Sequence, residues 1–151
     1  QRRSKLKVAI QVMVKPKATT GINQSLVRKT AEAALNDAGL SKTTELSVLL
    51  TTDEHIHELN SKYRGKDKPT DVLSFPMDDE VLLGDVVISI ERTVQQSKRF
   101  GVTPKEEFVR LLVHGILHLL GYDHVNGGRQ AAKMKRKEEE LMAELASLYR
   151  G

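Results

Sequence analysis

Three of the five histidines of this chain fall within the eleven residues HGILHLLGYDH, as His114, His118 and His124. His114 and His118 are four residues apart. On an α-helix that separation turns through ~40°, so both imidazoles project from one face, a turn apart. Gly121 is a residue at which such a helix can end in a left-handed conformation, returning the chain so that His124 supplies a third nitrogen. Two ligands from a helix and one from the following turn suit a tetrahedral ion with one position left open. The chain has no Cys, so a metal must be held by His, Asp or Glu. Three neutral imidazoles leave the full double charge on zinc, enough to bring a bound water's pKa down to about 7. Reading the histidines as ordinary polar residues on an apolar helix suffices for one of them but not for three at this spacing. Asp123 has two readings, orienting a ligand imidazole or capping the turn, and the sequence separates neither.

The spacing of these histidines and Gly121 also fits the metzincin pattern of zinc peptidases, His-Glu-x-x-His-x-x-Gly-x-x-His. The position of the general-base Glu is occupied here by Gly115, which has no side chain. Metal binding survives that change; Glu-assisted peptide hydrolysis does not.

A second cluster is cationic. Lys62, Arg64, Lys66 and Lys68 place four positive charges in seven residues, offset by Asp67. Most such runs are solvated turns. The alternative is that Arg64 grips a phosphate, because a guanidinium donates two parallel hydrogen bonds to phosphate oxygens. Asp85 is a candidate helper or an ordinary strand-entry residue. His55 and His57, two apart on a predicted helix, point to different faces and read as surface residues. The acidic turn Asp78-Asp79-Glu80 is given no role.

The elements that must position these groups follow from periodicity. Lys5 to Val14 alternates and predicts a strand; Asn23 to Ala38 has helical spacing and stops at Gly39; Thr44 to Leu50 predicts a second strand. The opening is thus a βαβ unit, with a right-handed parallel crossover expected. Thr51-Thr52-Asp53-Glu54 resembles a capping box opening a helix to about Tyr63, and Arg64 to Thr70 follows as a charged loop. Short strands are predicted at Val72 to Phe75 and Asp85 to Ser89, then a helix from Ile90 to Phe100. Thr103-Pro104-Lys105-Glu106 starts the histidine-bearing helix, which should end at Gly121. One last amphipathic helix is expected from Gly128 to Tyr149, with Ala132, Leu141, Leu145 and Leu148 inward and its charges on an outer face. Strands come first and helices cluster at the end, which favours an α+β fold.

At 151 residues the chain is expected to form one domain, residues 1–151. With 39% hydrophobic and 29% charged residues it is not a disordered chain, and no apolar run reaches the ~18 residues of a membrane span. The net charge of +4 permits polyanion binding without requiring it. Three Phe, three Tyr and no Trp argue against a base-stacking platform, so any nucleic acid should be held by its backbone.

Three blocks, LNSKYRGKDKPTDVLSFP (Leu59 to Pro76), LGDVVIS (Leu83 to Ser89) and FVRLLVHGILHLLGYDH (Phe108 to His124), together resemble the YbeY family of ribosomal-RNA maturation endoribonucleases. The resemblance covers the middle and later chain; the first 50 residues match only in layout. It implies a zinc-dependent, single-strand-specific endoribonuclease acting in small-subunit ribosomal RNA maturation and ribosome quality control. One Zn2+ would be held by His114, His118 and His124 plus water or substrate, with Arg64 as the catalytic arginine. The implied fold is a single compact α+β domain, a mixed sheet of about four strands packed with helices and a zincin-like metal helix. The implied setting is cytoplasmic, away from membranes, with ribosomal RNA and the small ribosomal subunit as partners, joined by a small-subunit ribosomal protein and an Era-type GTPase. Two other functions stand beside it: a non-enzymatic ribosome-assembly factor with a structural zinc, and a metzincin-like zinc hydrolase lacking the usual Glu. A three-ligand cage weighs against the former, since structural zinc takes four protein ligands, and Gly115 against the latter.

Overall fold

The computed structural model describes residues 7–40, 44–77, 81–122 and 128–150. Alternating apolar residues build four strands: β1 (Lys7–Val12), β2 (Glu45–Thr51), β3 (Val72–Pro76) and β4 (Leu82–Ser89). Their order is β1-β2-β4-β3, with β1/β2 and β2/β4 parallel and β3/β4 antiparallel. This is the mixed four-stranded sheet that the family resemblance implies. β1 is shorter than the alternation suggested: its pairing with β2 ends at Val12 opposite Leu50, and Val12 is exposed.

Among the described residues six α-helices accompany the sheet: α1 (Gln24–Asp37), α2 (Asp53–Arg64), α3 (Ile90–Phe100), α4 (Pro104–Leu119), α5 (Gly128–Glu144) and α6 (Ala146–Tyr149). Four open on a hydroxyl or amide cap: Asn23, Thr52, Ser89 and Thr103 each accept the backbone N–H three residues on. Thr51 cannot cap α2 because it is still paired with Ser89 in the sheet, so the cap falls to Thr52. α2 also runs one residue further than expected. Gly65, in the left-handed region, ends it, which makes Arg64 the last helical residue rather than the first of the loop. The last predicted helix is broken at Leu145 into α5 and α6. Its inward stripe is Met134, Leu141, Leu145 and Tyr149; Ala132 is exposed, and Leu148 is half-buried.

The two faces of the sheet are covered unequally. Val8, Leu46, Val48, Leu50, Val86 and Ile88 meet α1 and α4 in the main core, where Phe108, Leu112 and Ile116 of α4 are fully buried. The other face carries α2 and a small cluster of Ile56, Leu73 and Val87. Among the described residues, no helix is long and apolar enough to cross a membrane.

Candidate functional site

α4 carries the two helical histidines. Their ring centroids lie 4.7 Å apart with planes at 74°, the relation expected of side chains one turn apart on one face. The helix ends as its sequence predicts: Gly121, at φ 97°, donates to the carbonyl of His118, and Tyr122 donates to that of Leu117. His124 and Asp123 lie outside the described residues. Two of the three expected ligands are therefore placed, and among the described residues no three His, Asp or Glu gather as a metal cluster.

Both histidines open onto a cavity of about 710 Å3 that is also lined by Arg64, Lys66, Lys68 and Asp71. Asp71, which no sequence pattern marks, is the one carboxylate among its described lining residues; its Oδ1 accepts from the backbone N–H of Val72 at 2.8 Å. The two placed imidazoles are nitrogen donors, which zinc accepts and which magnesium and calcium, requiring several oxygen ligands, do not favour. Three of the four cations of the basic run line this cavity, whereas Lys62 turns away and lies 5.2 Å from the ring centre of Tyr63.

Arg64 is held in place from β3. Its guanidinium donates to the carbonyl of Ser74 and lies 5.2 Å from the ring centre of Phe75. Phe75 in turn meets Tyr63 edge-on at 5.6 Å. Two of the six aromatic Phe and Tyr side chains are therefore gathered beside the arginine, which the composition alone did not suggest.

Gly115 sits where α4 presses on the sheet. A Cβ there would lie 2.7 Å from Val86 Cγ1 and 3.2 Å from both Ser74 Oγ and Val72 Cγ2. Ser74 Oγ also donates to the Gly115 carbonyl at 2.8 Å. The peptidase glutamate is thus missing for a packing reason. No side chain fits between the helix and β3–β4, so Gly115 is the condition for α4 to approach so closely.

Asp85 does not join the histidines. Along β4, Val86 and Ile88 face α4, so Asp85 and Val87 face α2 on the opposite side of the sheet. There Asp85 lines a separate pocket of about 380 Å3 with His55, Tyr63 and Phe75. The two remaining histidines lie at the surface, as expected, each beside an exposed carboxylate: His55 Nδ1 lies 3.6 Å from Glu58, and His57 Nε2 lies 2.7 Å from Asp67. The acidic turn at 78–80 lies outside the described residues.

A buried ionic group backs α4. Glu107, 1% exposed, is paired with Arg110 at 2.6 Å and accepts from Gln96 at 2.7 Å. The hydrogen bond to Glu107 raises the Arg110 pKa above its ordinary value. Burial opposes the shift, and the nearby charges of Glu107, Glu138 and Asp71 reinforce it. Glu138 of α5 closes the set, its Oε1 lying 3.0 Å from His114 Nδ1.

The sequence model of the family described as Endoribonuclease YbeY matches residues 12–146. A protein of Aquifex aeolicus named Endoribonuclease YbeY is 46% identical over 140 residues, covering 90% of this chain and 92% of its own. One of the same name from Persephonella marina is 41% identical over 134 residues, covering 85% and 87%. A solution structure of a Thermotoga maritima protein superposes with a TM-score of 0.61 at 27% identity, covering 93% of this chain and 92% of that one.

Proposed function

The chain belongs to the YbeY family of endoribonucleases, and on that footing we propose that it is a zinc-dependent endoribonuclease that cuts single-stranded RNA. The observation that carries the reading is that Arg64, from the end of α2, and the His114–His118 pair, from α4, line one cavity although they are far apart in sequence. His114, His118 and His124 are the residues that would hold the ion, and a zinc ion bound there supplies Lewis acidity toward a phosphodiester.

The rest is done by side chains. Arg64 has one guanidinium nitrogen committed to Ser74 and its cationic carbon 5.2 Å from the ring centre of Phe75, which leaves its other donors for a non-bridging phosphate oxygen. Lys66 and Lys68 give the cavity a positive wall that attracts an RNA backbone and weakens as salt rises. The proposed setting is the cytoplasm, with small-subunit ribosomal RNA as substrate in its maturation and in ribosome quality control. A small-subunit ribosomal protein and an Era-type GTPase are the proposed partners. Family membership supports this setting.

The test is single-turnover cleavage of a defined single-stranded RNA by zinc-quantified protein. His118→Ala should lose zinc, lower the thermal midpoint and abolish cleavage. Arg64→Ala should keep zinc and fold but cut more slowly by about 10²- to 10³-fold. Cleavage undiminished in both variants would sink the reading. Zinc-loaded protein that binds small subunits and never cuts RNA would favour the assembly factor.

A further inference from the structure

Glu138 sits in the run Glu138-Glu139-Glu140, which reads as one solvated charged patch. The structure divides that run. Glu139 and Glu140 are exposed, while the Glu138 side chain retains 22% of its surface and meets His114, itself at 24%. Position 138 is four residues after Met134 and three before Leu141, both buried, so it lies on the inward stripe of α5. A carboxylate on such a stripe is costly unless it is hydrogen-bonded or paired. Its acceptor oxygen is 3.0 Å from His114 Nδ1, and the Arg110 guanidinium is close enough to sense its charge.

We propose that Glu138 is a positioning residue for His114: its carboxylate accepts the Nδ1–H of the imidazole and so fixes the tautomer in which Nε2 is the basic, ligating nitrogen. A neutral imidazole carries one N–H, and its partner decides which nitrogen bears it. A carboxylate can only accept, so it places the proton on Nδ1. The same hydrogen bond fixes the ring's rotation and makes Nε2 a better electron donor. The carboxylate is itself anchored. Burial of Met134 and Leu141 holds α5 down, and Lys137 ties the helix to Asp37 of α1 at 3.0 Å. This inference rests on His114 being a metal ligand, so its test must separate the two claims.

Zinc affinity of the full chain is measured by competition with a chromophoric chelator, for the wild type, Glu138→Gln and His114→Ala. Nitrogen-15 NMR of the imidazoles in the metal-free wild type and Glu138→Gln gives the tautomer. The glutamine can donate as well as accept. Glu138→Gln should therefore weaken zinc binding by about 10- to 100-fold and shift His114 toward the Nε2–H form. Its metal-free thermal midpoint should stay close to that of the wild type, which a merely structural ion pair would not allow. Zinc binding that is lost in His114→Ala but unchanged in Glu138→Gln would overturn the role of Glu138 and leave the metal site standing. An Nε2–H tautomer in the wild type would overturn it without recourse to any variant. A wild type that binds no zinc would overturn both claims.

Discussion

One face of the sheet is covered by α1 and α4 so closely that a glycine is needed at the contact, while among the described residues the other carries α2 over a cluster of three buried apolar side chains. The histidine pair belongs to the tight side, and Asp85 and His55 to the loose one. Close packing leaves side chains few alternative rotamers, and groups meant to meet a substrate at fixed separation gain from that restriction. The looser face has no such requirement, and a pocket remains between α2 and the strands.

The hardest test of this contrast is Gly115. Gly115→Glu should not yield a folded protein, because it adds a buried carboxylate to overpacking that by itself costs about 1–3 kcal/mol. Gly115→Ala should pay the overpacking cost alone, visible as a lower urea midpoint. An alanine variant unfolding at the wild-type midpoint would mean that α4 and the sheet are not tightly apposed. Next come matched truncations. Leu112→Ala in the main core should destabilise toward the upper end of about 2–5 kcal/mol, and Ile56→Ala under α2 toward the lower end, where a small cluster can collapse around the gap. Equal losses by urea denaturation would erase the difference between the faces. The smallest effect is expected at Asp85. Asp85→Asn should change single-turnover cleavage of free RNA by less than about threefold, under 1 kcal/mol. A loss comparable with that of Arg64→Ala would bring the far face into the reaction.

How much of this could be read from the sequence depended on whether a residue's neighbours lie in its own element. His114 and His118 were legible because four residues on a helix is a statement about one face, and the end of α4 was written in Gly121. Arg64 was legible as a cation. Its support was not, since Ser74 and Phe75 reach it from β3 through folding. Asp85 had two readings, helper or ordinary strand residue, and the alternation of β4 favours the second: Val86 and Ile88 face α4, so residue 85 faces away. Glu138 hid in a charge run, and only its spacing from Met134 and Leu141 marked it as inward. Ala132 lies off that stripe, and its residue type could not mark its side, because small apolar residues fit either side of a helix equally well.

Ser74 touches both halves of the site: its hydroxyl is bonded to the main chain of the histidine helix, and its carbonyl receives the arginine. A single residue on the sheet's outer strand therefore acts as a gauge block between the two. The gap is machined during folding, before any RNA arrives. On the proposed function a phosphodiester would meet a gap of set width, because neither jaw can slide toward the other without breaking its hold on the same strand.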